Sequence, residues 1–107
     1  MAHSIMTFND RSYLVRDDVL SLIVNQFGKY SHQENIQWLS QASKEWAEHC
    51  DVMPPGAKKI ELDRWISGDK EWREIMAAID FVSRENKEAE LVQLMHLDDL
   101  RACIQPA

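Results

Sequence analysis

The side chains best suited to chemistry are His32, His49, His96, Cys50 and Cys103, together with the carboxylates near them. Glu45 and His49 stand four residues apart, so on a helix they share a face, with Glu48 close by. Three ligands on one helix could begin a metal site. The chain has no H-x-x-x-H, no Glu-x-x-His and no paired Cys or His at zinc-finger spacing, which argues against one. His49 is accounted for by its place near a helix C-terminus, where an imidazole suits the negative end of the helix dipole. The opening Met-Ala-His could hold copper through a free amine and His3. Removal of Met before Ala would shift the histidine to the second position and spoil that geometry.

Covalent catalysis needs a nucleophile beside a base. His49 and Cys50 are neighbours in sequence, but adjacent helical residues diverge by roughly 100° and do not face each other. The paired carboxylates Asp17-Asp18 and Asp98-Asp99 sit where helices are expected to start, a position that favours Asp without any catalytic role. Three isolated glycines supply no phosphate-cradling loop, and neither GxxxxGK[ST] nor GxGxxG occurs. No enzyme chemistry and no cofactor are therefore expected.

The net charge is −6, and no segment is a basic stripe. Residues 31–56 set Lys44 against Glu34, Glu45, Glu48 and Asp51, and residues 88–107 set Arg101 against Glu88, Glu90, Asp98 and Asp99. Phosphate backbones are held by clustered Lys and Arg, so nucleic acid is not the expected ligand. No run of about 18 apolar residues exists to span a membrane. With no apolar leader and no C-x-x-C, the two cysteines read as free, buried thiols of a cytoplasmic protein.

The elements that must position these residues read as helices. Length and composition favour one helical domain over 1–107, with 1–16 as an extended arm or a short strand at "SYLV" and 51–57 as a Pro-rich loop. Val19, Leu20, Ile23, Val24 and Phe27 make one face of a first helix, which Gly28 is placed to stop. Ser31 and Glu34 form a capping-box pattern opening a second helix to about Cys50, with Ile36, Leu39, Ser43, Trp46 and Cys50 inside. Residues 57–68 read as a shorter third helix carrying Leu62, Trp65 and Ile66, with a strand as the alternative because Ile60 and Leu62 alternate. The fourth helix follows Asp69. "NKEAELVQLMHLDDLRACIQPA" continues helically, with a turn near His96–Asp98, and it either joins the fourth helix as one rod or breaks from it. The fold class expected is all-α, a compact irregular bundle of about five helices.

Two aromatics fall outside the expected core stripes. Trp38 lies on the helix edge that carries Glu45 and His49, either exposed as an anchor or covered by the N-terminal arm. Phe81 points away from Trp72, Ile75, Met76, Ile79 and Val82 and packs in a second layer or marks a surface. Tryptophan is favoured at binding hot spots because it combines large area with a polar N–H. The expected partner-binding residues are thus Trp38, His49, Glu45 and Phe81. The function expected is binding of another protein in the manner of an inhibitor, immunity protein or adaptor, with a homodimer as one form of it. The alternatives are a nucleic-acid regulator, since "KKIELDRWISGDKEWREI" has a helix-turn-helix outline, and a small enzyme with a composite site.

Overall fold

The computed structural model describes residues 2–105. Met1, and with it the amine of the discarded copper motif, lies outside them. The described chain is a mixed α/β fold, which corrects the all-α expectation. Strands β1 (His3–Phe8) and β2 (Arg11–Arg16) form an antiparallel hairpin. β3 (Lys59–Glu61) pairs parallel with β1, giving the order β2-β1-β3. The helices are α1 (Asp17–Gln33), α2 (Gln37–Val52), α3 (Asp69–Glu85), α4 (Ala89–Met95) and α5 (Leu97–Cys103).

The hairpin follows from period-two alternation that the polar residues disguise. Ser4, Met6, Phe8, Tyr13 and Val15 are buried on one face, while Ser12 and Leu14 are exposed on the other. The two-residue loop is Asn9-Asp10, and Asn9 holds φ at 55°, the positive first position that primed hairpin turns share. Ile60 of β3 adds to the inner face. The helices cover that face; the opposite one carries Ile5, Leu14, Thr7 and Ser12 in register.

Gly28 does not end the first helix. It lies inside α1, where an added Cβ would come within 3.2 Å of Ser43 Oγ, so the glycine serves the close approach of α1 and α2. Ser31 is correspondingly buried within α1 and opens no helix; its hydroxyl donates to the Gly28 carbonyl at 2.7 Å and meets Ser40 Oγ at 2.8 Å. The left-handed residue is Asn35, with φ of 55°. The Ile36 N–H reaches the Ser31 carbonyl at 2.9 Å in a Schellman-type closure.

The expected third helix is also corrected. Residues 59–61 are strand and 62–64 a single 3-10 turn, because Ile60 is drawn into the sheet beside Met6. This removes the helix-turn-helix outline. The rod alternative ends at Asn86, whose side chain donates to the Val82 carbonyl at 2.7 Å and pairs with Gln26 of α1. The turn expected near His96 is present, with φ of 48° there. Trp72 donates to the Ile104 carbonyl and Tyr13 to the Met95 carbonyl, tying the C-terminal helices to α3 and the sheet.

Candidate functional site

Asp17 begins α1 and accepts three hydrogen bonds, from Ser4 Oγ at 2.7 Å, Lys58 Nζ at 2.9 Å and the Gly56 N–H at 3.0 Å. Burial works to raise its pKa, but the bonds from Ser4, Lys58 and Gly56 and the charge of Lys58 outweigh it and hold the carboxyl below its ordinary value. This knot anchors the loop after α2 and so fixes where β3 lies. From there β3 turns back along α2, and the Lys59 N–H donates to His49 Nε2 at 3.0 Å. Since Nε2 accepts, the neutral imidazole carries its proton on Nδ1.

Between α2 and the β3–3-10 segment runs a groove of about 510 Å³. Trp46, His49, Glu45, Trp65 and Arg64 line it, with Lys59 and Glu61 at the strand. Trp46 is almost wholly buried, its ring edge-on to Phe27 at 6.4 Å. Trp65 is half-buried. The other two tryptophans spend their indole N–H on the protein: Trp38 on Glu74 Oε1 at 3.0 Å and Trp72 on the Ile104 carbonyl at 2.6 Å. Among the described residues, the indole N–H groups of Trp46 and Trp65 have no such partner. Among the described residues no buried side-chain nitrogen or oxygen is left unsatisfied, so neither N–H group is wholly closed off from solvent. Glu45, Lys59, Glu61 and Arg64 are exposed, and among the described residues their side chains make no ion pair. The groove therefore sets two carboxylates and two cations beside Trp46 and Trp65.

The structure brings Glu45 and His49 together in this groove and leaves the other two expected residues elsewhere. Trp38 is half-buried against α3 through its bond to Glu74. Phe81 is 8 % exposed and tilts against Tyr30 of α1 at 5.3 Å, with Lys29 Nζ 5.9 Å from its ring centre. The second apolar face of α3 thus packs on α1. A helix over 57–68 would put Trp65 on a core stripe with Leu62 and Ile66. The alternation of Ile60 and Leu62 was the signal for strand, and a strand turning into a 3-10 step leaves Trp65 half-buried at the groove.

Cys50 and Cys103 are buried free thiols whose pKa values burial pushes up, which favours the thiol over the reactive thiolate. Among the described residues no three His, Cys, Asp or Glu side chains are grouped to hold a metal ion, and no helix is long and apolar enough to cross a membrane. No family model matches the chain, and no curated protein or solved structure matches it.

Proposed function

We propose that the protein works by binding another protein at the groove between α2 and β3, without catalysing a reaction, in the manner of an inhibitor, immunity protein or adaptor. The observation that carries this reading is the pair of tryptophans, Trp46 and Trp65, whose N–H groups have no partner among the described residues, beside Arg64, Glu45, Lys59 and Glu61, which make no ion pair among them. Tryptophan and arginine dominate binding hot spots because they bury much area and still supply donors. Four mixed charges around them suit a partner of opposite pattern, since charge complementarity sets orientation and excludes wrong partners.

The test is capture from the native host with the wild-type chain and three variants. Trp65→Ala and the charge swap Arg64→Glu should lose the bound protein while keeping a wild-type circular dichroism spectrum. Trp38→Phe, away from the groove, should retain it. A bound protein that survives both groove variants would overturn the assignment. Recovery of nuclease-sensitive material in place of protein would overturn the class of partner.

A further inference from the structure

The sheet has two edges, and they are treated differently. The Ile5 N–H donates to the Lys58 carbonyl at 3.1 Å, so Ile5 faces β3 with its backbone groups. The even residues of β1 then bond to β2 through Val15, Tyr13 and Arg11, and the Asp17 N–H reaches the Ala2 carbonyl at 3.1 Å in the same phase. It follows that Ser12, Leu14 and Arg16 direct their N–H groups away from the sheet. On β3 one outward N–H, that of Lys59, is closed by His49. On β2 the outward N–H and C=O of Ser12 and Leu14 meet no protein partner among the described residues. A groove of about 620 Å³ lies along β2, its remaining lining being Leu94, His96, Asp99, Ala102 and Cys103 of the C-terminal helical segment, which packs on the inner face through Tyr13.

We infer that the strand position beside β2 is taken by β2 of a second copy, making a twofold antiparallel pair centred on Leu14 and a continuous six-stranded sheet. Several features of β2 fit its own mirror in direction. Leu14 is 62 % exposed on the uncovered face and is paired in register with Ile5. With Leu14 opposite Leu14 of the second copy, the open faces join an apolar stripe running from Ile5 through both leucines to the other Ile5. On the inner face the same register sets Tyr13 against Val15, an aromatic against a β-branched side chain, the favoured cross-strand pairing. Arg16 falls opposite Ser12, so no like charges meet, and Arg16 is already neutralised by Asp18 through two bonds of 2.6 and 2.7 Å. Within the strand there is no proline, no lysine and no bulge, and its two arginines stand at the ends, leaving Ser12 to Val15 uncharged between them. Each copy carries −6, so salt should strengthen the association by screening the repulsion between them.

The experiment is sedimentation equilibrium over a concentration series with five samples. Wild type should dimerise, more tightly at high salt. Leu14→Lys should weaken the dimer by more than about tenfold, because two like charges then lie directly opposite. Ser12→Pro, which removes an outward N–H without touching the bonds to β1, should weaken it as well. Leu14→Glu alone should be monomeric, and an equimolar mixture of the Leu14→Lys and Leu14→Glu variants should re-form a heterodimer, since only a self-facing position pairs lysine with glutamate. A wild-type chain that stays monomeric at millimolar concentration would overturn the inference. So would a dimer indifferent to both Leu14→Lys and Ser12→Pro, or a mixture that fails to associate. The groove at α2 and β3 is a separate surface, and its partner binding is read independently by Trp65→Ala.

Discussion

Asp17→Ala is expected to be among the most damaging single changes outside the apolar core. It removes the acceptor of three bonds at once and leaves the Lys58 ammonium, whose side chain is only 9 % exposed, without its partner at 2.9 Å. Breaking one side of a buried pair costs about 3–5 kcal/mol, mostly from the uncompensated charge that remains. The Asp17 side chain is 15 % exposed, so water reaches the site and the low end, about 3 kcal/mol, applies. Loss of a carboxylate from the first turn of α1 adds roughly 0.5 kcal/mol. In a domain of this size that total lowers the melting midpoint by about 15–25 °C. The assay is urea unfolding at neutral pH, followed by circular dichroism. Lys58→Met in the Asp17→Ala background should recover about 1–2 kcal/mol, since no orphan ammonium is then buried. The folded-state pKa of Asp17 is lowered, so its contribution is complete above the unfolded value of about 4 and is lost as pH falls through the folded value. Wild type should therefore lose stability more steeply than Asp17→Ala as pH drops below about 4. Loss of less than 1 kcal/mol in the single variant, or no recovery in the double, would refute the reasoning.

Trp46→Ala should cost about 3–5 kcal/mol in urea unfolding, because its indole is buried against Phe27, whereas half-buried Trp38→Ala should cost roughly 2 kcal/mol. Equal losses would show that the two faces of α2 are misassigned. Phe81→Ala should lower stability by about 3 kcal/mol through lost contact with Tyr30; a variant as stable as wild type would remove the packed second face of α3. Tyr13 has its pKa raised by burial first and by Asp99 second. Its contribution is present below the unfolded value of about 10 and is lost as pH rises above it, so Tyr13→Phe should flatten the alkaline fall in stability expected of wild type. Unchanged alkaline sensitivity in that variant would place the sensitivity elsewhere.

Much of the helical part was determined locally. The apolar spacing of Val19, Leu20, Ile23, Val24 and Phe27, and of Ile75, Ile79 and Val82, is a 3.6-residue pattern written in the chain, and all eight residues are buried. The prolines after α2 and the turn at His96 were equally legible, because each is a property of adjacent residues. What tertiary structure decided was everything that depends on a distant partner. Gly28 looks like a helix stop until Ser43 is seen packed against it, and Ser31 looks like a cap until Ser40 is found beside its hydroxyl. Lys59–Glu61 is too short to hold a strand by its own propensity; it is a strand because β1 lies beside it and Asp17 and His49 pin its N-terminal end. The groove inherits that dependence. Glu45 and His49 were placed on one helix edge by their spacing alone, but Trp65 joins them only because β1, more than fifty residues earlier in the chain, captured Ile60. Helix periodicity is a sum of neighbours a few residues apart, whereas alternation within a strand does not say which strand some fifty residues away it will pair with.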